Sequence, residues 1–458
     1  MADSLSKLKQ WRYFIFSAAA LGAVLYQGPF FARDTHDYLA DTIIRSPLTP
    51  LLLSLLRLLV GAGYAWAFIA LQTTAVLAAA AFFARALSRA AKAGPLPEFI
   101  FFMLALSPLF TDWIGNWLLS EGISYALLLA SAGLLLQLQE TFGAGKMCLL
   151  AGAMSVNLLN RPQMLFVYPL YAVCAALLIC RQFKILGRTR WLAHAAFWAL
   201  LPFAAAGLLG RSWNLARHGS FTMSDFPGRV QLASSLLYVS DSADLALFKA
   251  KPYYPAMQRI YAEMDELKLS AKYRHELDMN YAAYLDSAVK PRGIYNNFSS
   301  RSDVLYFHVL ARELYCFASG EQISRDEWKE TQKIDYGNTR AWLSARETAD
   351  DISRTLAPAR WLEYLKLVGS KFRNRVSFGE ALLLLTLALL PFAWPGPAQN
   401  FMAASACAAG LNLLLTASCT SLLRRLTFYS DTLLLLSAAL LLWLLFQSRR
   451  AAVGNGGA

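Results

Sequence analysis

Long apolar runs recur along this chain, and they determine the solvent in which it can fold. Of its 458 residues, 57% are hydrophobic and only 16% are charged. A helix needs roughly 20 consecutive apolar residues to cross a bilayer, and several runs approach that length. The sequence therefore predicts an all-α polytopic membrane protein rather than a soluble globular one.

These runs predict about ten membrane-spanning helices. They are placed at 13–30, 64–84, 97–111, 118–138, 147–159, 163–180, 192–210, 377–394, 400–418 and 430–447. Basic residues fall in short turns on one side of this arrangement, as the cytoplasmic side of a membrane protein requires. Both termini are then cytoplasmic, and a bacterial inner membrane with a site facing the periplasm is the predicted location. The polar segments on the outer side are 34–45, 112–121, 160–163, 211–375 and 420–431.

Charged residues divide the chain into three predicted parts. Residues 1–211 are predicted to form an N-terminal transmembrane module, and residues 377–458 the C-terminal transmembrane helices. Twenty of the thirty Asp and Glu residues fall in 212–376, where apolar residues recur at helical spacing. This part is predicted to be an inserted helical periplasmic domain. Its helices are expected at 245–257, 257–269, 271–289, 302–318, 323–334 and 338–367.

The net charge of +13 does not indicate a nucleic-acid partner. No block of Lys and Arg with interleaved aromatic residues occurs, and the basic residues follow the topology of the spans instead. Membrane lipids are therefore predicted as partners, and nucleic acid is not.

The first outer loop, residues 31–60, is here called the acidic segment. Its second part belongs to an apolar run, 48–83, that as one helix would be about 54 Å long against a hydrocarbon core of about 30 Å. The run must therefore break, and the glycine-rich tripeptide at 61–63 is the predicted position. Residues 47–60 are then an amphipathic helix that lies at the outer interface.

The first part of the acidic segment carries three aspartates and a histidine. Asp34, Asp37 and Asp41 share one face if this part is helical, and they can still converge if it is a loop. The cluster is either a solvated loop or a working site, and the interfacial helix that pins it to the membrane favours a site. Because His36 lies among these carboxylates, a divalent metal ion is kept as a possible cofactor. One histidine with neighbouring carboxylates is too few to assign metal ligands.

Two further acids flank the second outer loop. Asp112 opens this loop, and Glu121 stands at the start of an otherwise uninterrupted apolar helix. Ionisable groups at membrane depth are costly and are usually functional. The alternative is that Glu121 is a first-turn charge favoured by the helix dipole, with Ser120 as the cap.

Three arginines lie on the predicted outer side, against the positive-inside trend. A guanidinium group matches the oxygens of a phosphate, so these residues are candidates for holding a donor phosphate near the headgroups. The alternative is that they bind anionic lipid headgroups. The three are Arg161, Arg424 and Arg425.

Two short motifs in the acidic segment carry a family resemblance. They read DTHDYL at 34–39 and RSPLTP at 45–50. An aspartate, a tyrosine four residues on and a Ser/Pro-Leu-x-Pro run that opens an interfacial helix resemble the GT-C superfamily of membrane glycosyltransferases. These include protein mannosyltransferases and lipid A aminoarabinose transferases. The similarity covers 11–211 in plan and is specific only in the first outer loop.

The resemblance implies an inverting transfer of a sugar from a polyprenyl-phosphate carrier to a glycan, lipid or protein acceptor on the outer face. It implies that Asp34 is the general base, with Asp37 as the second choice and Tyr38 binding substrate beside them. The second-loop acid that assists in many members would be Asp112 or Glu121. The three arginines would hold the donor phosphate, a role assigned by topology and chemistry rather than by motif.

The chain departs from many members of this superfamily because its soluble domain is inserted between spans instead of following the last one. The identity of the acceptor therefore cannot be inferred from the family. Two alternatives stay open. An O-antigen ligase or polymerase would use arginines and a histidine of the large outer segment, and a transporter would show inverted repeats or broken spans in matching halves.

Overall fold

The computed structural model describes residues 2–31, 33–141, 143–167, 188–224, 226–273, 304–329, 337–394, 396–419 and 424–455. Helices dominate this part of the chain, and its β structure is limited to an isolated bridge between Phe30 and Trp117. The predicted all-α class is confirmed for the described residues.

Eight α-helices precede residue 161. They are α1 (Ala2–Gln27), α2 (Arg33–Leu39), α3 (Leu48–Val60), α4 (Tyr64–Ala90), α5 (Pro95–Ala105), α6 (Ser107–Thr111), α7 (Glu121–Glu140) and α8 (Ala144–Asn160). Two 3-10 helices accompany them, at Gly61–Gly63 and Pro162–Val167.

Nine further α-helices follow in the described residues. They are α9 (Arg188–His218), α10 (Phe226–Tyr238), α11 (Tyr254–Glu266), α12 (Arg312–Ser319), α13 (Arg325–Lys329), α14 (Thr339–Arg375), α15 (Phe378–Ala393), α16 (Pro397–Cys419) and α17 (Arg424–Asn455). Shorter pieces lie between them: 3-10 helices at Ser242–Phe248 and Ala271–Tyr273, and a π-helix at Val304–Ala311.

Four stretches of the described chain are helical, long and apolar enough to cross a membrane. They are Leu48–Ala90, Glu121–Glu140, Pro397–Ser418 and Phe428–Arg450. Each contains or overlaps a predicted span, which is compatible with an all-α membrane protein. The count of about ten spans stays a prediction. Most of the span predicted at 163–180 lies outside the described residues.

The span predicted at 97–111 lies in the apolar helical stretch Pro95–Thr111, but it is not one continuous helix. The chain forms α5 and α6 instead, with the break just before Pro108. Proline has no amide proton and cannot bond to the carbonyl four residues back. The Ser107 hydroxyl takes over that role, donating to the carbonyl of Leu104 at 2.8 Å.

The break predicted in the run 48–83 is confirmed. Helix α3 ends at Val60 and α4 begins at Tyr64. Between them Gly61 adopts φ +58° and ψ −129°, a conformation that L side chains rarely adopt. The amide of Gly61 donates to the carbonyl of Arg57, which ends α3.

Apolar side chains form two large buried groups. The first gathers the long helices, with α4 packed along α7; Gly133 of α7 lies so close to the Phe82 ring that a Cβ there would fall 2.6 Å from it. The second gathers apolar residues of 230–368 with Ile43 and Ile44 of the acidic segment. The acidic segment therefore shares part of its buried apolar surface with the inserted part, while its Tyr38 and Leu53 pack in a smaller group with Phe68 and Leu118.

Several helix predictions in the inserted part need correction. The helix expected at 245–257 is a 3-10 helix at Ser242–Phe248, and α11 begins only at Tyr254, because Pro252 and Pro255 interrupt the run. From residue 304 onward, the helix expected at 302–318 is divided into a π-helix and α12. Of the helix expected at 323–334, only residues 323–329 are described, and α13 begins there at Arg325.

Other boundaries in this part also differ from the prediction. Helix α14 continues eight residues beyond the expected end at 367, while its start is as predicted, with the Asn338 side chain accepting from the Ala341 amide at 3.1 Å. The proposed limit at 211 falls inside α9, and α10 was not predicted. Of the helix expected at 271–289, only residues 271–273 are described.

The backbone at Gly61 provides a test of the break between α3 and α4. Replacing Gly61 with alanine is expected to lower the free energy of unfolding by about 1–3 kcal/mol, because its positive φ is strained for any side chain. The matched control is Gly63→Ala: a Cβ would meet nothing within 4 Å at either glycine, but Gly63 has an ordinary φ of −78°. Thermal unfolding in detergent measures the difference, and equal transition temperatures for the two variants would contradict the interpretation.

Candidate functional site

The acidic segment is attached to the second predicted outer loop through the backbone. Helix α1 ends before Gly28, and Phe30 then pairs with 116–118: its amide donates to the Asn116 carbonyl at 2.7 Å, and its carbonyl accepts from the Leu118 amide at 3.2 Å. The Asn116 side chain donates to the carbonyls of Val24 and Gly28, both at 2.8 Å. Two loops more than 80 residues apart are thus joined before any charged group is involved.

Helix α2 brings two of the predicted residues inward. Asp37 and Tyr38 are 6% and 7% exposed, whereas His36 is exposed. Arg45 donates through Nε to Oδ2 of Asp37 at 2.9 Å, and also through Nη2. Its guanidinium also lies over the Tyr38 ring, 5.2 Å from the centroid. Asp37 is therefore neutralised within its own segment.

A buried ion pair joins α7 to the end of α8. Glu121 is 6% exposed, and its Oε1 lies 2.8 Å from Nη1 of Arg161. The Arg161 Nη1 also donates to the Ser120 hydroxyl at 3.2 Å, and its Nε donates to Oε1 of Gln163 at 2.9 Å. Glu121 and Arg161, which are 40 residues apart in sequence, thus form one charged centre.

Ser120 has a different role from the predicted helix cap. Its side chain makes no capping hydrogen bond at the start of α7. Its hydroxyl instead lies 3.2 Å from the Tyr38 hydroxyl and accepts from Arg161. Ser120 therefore connects the acidic segment to the ion pair. Glu121 does lie in the first turn of α7, but its burial and its pairing distinguish it from an exposed first-turn charge.

Asparagine and serine side chains fix the helices around this centre. Asn160 donates to the Ser120 carbonyl and to the Ser124 hydroxyl, both at 2.9 Å, and accepts from the Thr49 hydroxyl at 2.7 Å. This single amide joins α3, α7 and α8. Hydrogen bonds between side chains stabilise a low-dielectric interior strongly, because an unpaired polar group there is costly.

The C-terminal helices complete the site. Gln163 donates to the Asn412 side chain at 3.3 Å, and Asn412 donates in turn to the Ser430 hydroxyl at 2.7 Å. The Tyr429 ring lies 5.9 Å from the Arg161 guanidinium, and its hydroxyl donates to the Glu121 carbonyl at 3.4 Å. Helices α16 and α17 thus reach the same charged centre.

Burial and pairing set the charge states at this site. Burial raises the pKa of Tyr38, so its phenol stays neutral. Burial alone would lower the pKa of Arg161, but the neighbouring Glu121 carboxylate outweighs it and the pKa is raised. The guanidinium is therefore charged at any physiological pH.

Two atoms of the ion pair remain available. Within the described part of the chain, no hydrogen-bond partner is recorded for Nη2 of Arg161. The Glu121 Oε2 is buried and likewise has no hydrogen-bond partner there. The ion pair thus leaves one donor and one acceptor without hydrogen-bond partners, and a phosphate oxygen and a hydroxyl group are the kinds of group that would complement them.

The predicted site residues are only partly brought together. Tyr38, Glu121 and Arg161 share one centre, and Asp37 reaches it through Arg45 and Tyr38. Asp41 faces elsewhere, since its carboxylate lies 2.8 Å from Nη2 of Arg217.

The remaining predicted residues are less closely defined. The hydrogen bonds described for Asp112 are local: its carboxylate accepts from the Thr111 hydroxyl at 2.6 Å, and its carbonyl accepts from the Trp117 indole at 3.3 Å. Asp34 lies in α2, and Arg424 and Arg425 begin α17, but their side chains lie outside the described part.

Metal ligands are not grouped in the part of the chain that the structure describes. No three His, Cys, Asp or Glu side chains lie together there. The carboxylate of Asp34 is outside that part, so the divalent ion left open by the sequence is not tested.

Sequence reasoning missed several residues of the site, namely Arg45, Asn160, Gln163, Asn412 and Tyr429. Asn160, Gln163, Asn412 and Tyr429 are uncharged and lie in or beside apolar runs. Arg45 is charged, and it follows Asp37 by eight residues. A polar residue within an otherwise apolar helix usually faces the protein interior, and this pattern could have pointed to these positions. It marks burial but does not identify partners.

The ion pair gives a stability prediction. Glu121→Gln is expected to lower the free energy of unfolding by about 3 kcal/mol, because Arg161 would stay buried and charged without its partner. Adding Arg161→Gln should recover part of that loss. Glu140→Gln, at the other end of α7, is the control, since its pair with Arg89 spans 3.8 Å and is much more exposed; it should cost less than about 1 kcal/mol.

Thermal unfolding of the four proteins in the same detergent gives these differences. A Glu121→Gln variant as stable as Glu140→Gln would show that the buried pair is not needed for the fold.

No protein-family model, curated protein or solved structure matches this chain. The GT-C resemblance therefore rests on the motifs of the acidic segment alone, and function has to be argued from the chemistry of the site.

Proposed function

We propose that the protein is an inverting membrane glycosyltransferase, which moves a sugar from a polyprenyl-phosphate carrier to a glycan, lipid or protein acceptor. The observation that carries this proposal is that one nitrogen and one oxygen of the ion pair lack hydrogen-bond partners in the described chain. Arg161 offers an unused N–H group, and Glu121 offers a buried oxygen without a hydrogen-bond partner in the described chain. A sugar phosphate presents the complementary groups, phosphate oxygens and hydroxyls.

The position of the site supports a lipid-linked donor. Arg161 follows the last residue of α8, and Glu121 begins α7, so the charged centre lies at an end of apolar helices. The neighbouring α3 exposes Leu51, Leu55 and Leu58. A polyprenyl chain can lie against such a surface while its phosphate meets Arg161 at headgroup level.

The roles of the two acids in α2 can be separated. Asp37 is engaged by the Arg45 guanidinium, and an engaged carboxylate is a weaker proton acceptor. We assign it to holding the acidic segment in place. Asp34, which matches the family motif, is then the proposed general base. Arg424 and Arg425, at the start of α17, are proposed as further phosphate-binding residues.

The proposed reaction is a single displacement. The acceptor oxygen attacks the anomeric carbon and forms the new glycosidic bond, its proton passes to the Asp34 carboxylate, and the bond to the carrier phosphate oxygen breaks. Arg161 stabilises the negative charge that develops on the departing polyprenyl phosphate. Attack from the face opposite the phosphate inverts the anomeric configuration.

We place this reaction on the periplasmic face of a bacterial inner membrane. The basic turns of the sequence support that orientation. A carrier-linked donor needs no sugar-nucleotide site. The acceptor is kept broad because the inserted part of the chain departs from the family plan.

Replacing the proposed base is the direct test. Asp34→Asn is expected to reduce sugar transfer about 100-fold or more, since it removes the proton acceptor. Asp41→Asn is the matched control on the same segment, because Asp41 pairs with Arg217 away from the site; it should keep near-normal transfer. The assay follows transfer in membranes supplied with a polyprenyl-phosphate sugar, with expression levels compared.

Full activity in Asp34→Asn, at normal expression, would overturn the assignment of the base, and full activity in Asp37→Asn as well would leave neither acid of α2 in that role. That result is expected of a ligase or polymerase that uses the large outer segment. Loss of activity in Asp37→Asn together with a lower unfolding temperature would agree with its positioning role.

A further inference from the structure

The second half of α14 carries an apolar face that is about half exposed in the described chain. Trp361, Leu362 and Leu365 are 53%, 60% and 44% exposed, although they belong to the inserted part of the chain, where most of the Asp and Glu residues fall. Exposed Gly369 and Arg373 extend the same face at helical spacing. In a soluble domain such a row of large apolar side chains would face water at a cost.

The opposite face of α14 fixes where these apolar side chains lie relative to the membrane. Tyr364 is buried, and its hydroxyl donates to the Ser418 carbonyl at 2.9 Å. Ser418 is the last residue of an apolar stretch long enough to span a bilayer. Trp361, Leu362 and Leu365 lie within about 5 Å of Tyr364 along the helix axis, so they stand at the level where that span ends.

The distribution of charged residues along α14 shows how its second half runs relative to the membrane. Residues 360–375 contain five basic residues and one acidic residue, whereas 339–354 contain three of each. A helix that continued straight into hydrocarbon would carry four of those basic residues with it, at a high cost. The second half of α14 must therefore follow the membrane surface until Ser377 caps the next helix.

The helix that follows supports the same placement. Ser377 forms a capping box with Glu380 at the start of α15, and α15 then exposes an apolar row. The row consists of Phe378, Leu382, Leu385, Leu389 and Phe392. The apolar face of α14 thus leads into a helix whose exposed side suits lipid.

We propose that residues 360–375 form a membrane-surface helix that inserts Trp361, Leu362 and Leu365 at the headgroup boundary and binds anionic phospholipid through Lys366 and Arg373. Both basic side chains are exposed and flank the apolar face. A basic amphipathic helix with Trp and Leu on one side is the type that lies in the interface plane. This inference does not depend on the proposed transferase activity.

The test uses the full chain in lipid nanodiscs. A p-azidophenylalanine placed at Leu362 carries an environment-sensitive dye, and Arg354 provides the control position. Arg354 is exposed, lies close to the same face of α14 and precedes Pro358, so it falls outside the proposed surface segment, about 12 Å from Leu362 along the helix axis. Iodide quenching of the dye at Leu362 should be about threefold weaker than at Arg354, and a doxyl-labelled lipid should quench only the dye at Leu362.

Lipid charge is tested in the same system. Protection at Leu362 should be greater in phosphatidylglycerol discs than in phosphatidylcholine discs, and Lys366→Gln with Arg373→Gln should remove that difference. Equal iodide quenching at Leu362 and Arg354 would overturn the surface helix. A doxyl-labelled lipid that fails to quench the dye at Leu362 would overturn lipid as the occupant, and equal protection in both lipids would overturn the headgroup contact.

Discussion

The site depends on one buried ion pair, between Glu121 and Arg161. Two charges with so little exposure can persist only if they are paired and their remaining hydrogen-bonding groups are mostly satisfied. Their neighbours follow from that requirement: Ser120 and Gln163 accept from the guanidinium, and Tyr429 stacks near it. The two atoms of the pair that lack partners are informative because the other groups of the pair are engaged by these neighbours.

Backbone breaks interrupt the longest apolar runs. Gly61 ends the interfacial helix α3, and Pro108 divides the run that follows α4. Each break has a local cause, a positive φ in one case and a missing amide proton in the other. The chain can thus turn back at the ends of apolar helices, where polar side chains of different loops meet.

The proposed donor site and the proposed surface helix lie at the same end of the C-terminal helices. Asn412, which bonds to Gln163 of the site, precedes Ser418 by less than two helical turns in α16. A helix that follows the membrane surface there would fix the height of the inserted part over the lipid. An acceptor would then approach the charged centre between the acidic segment and the inserted part, which already share the core that contains Ile43 and Ile44.

The sequence by itself determined the solvent, the helical class, the break at 61–63 and the start of α14 at Asn338, because apolar run length, glycine and capping residues act locally. It also marked Tyr38, Glu121 and Arg161. Only the tertiary structure decided that these three meet, that Asp37 is held by Arg45 and that Asp41 turns to Arg217. Pairing depends on which loops converge in space, and a pattern along the chain does not contain that information.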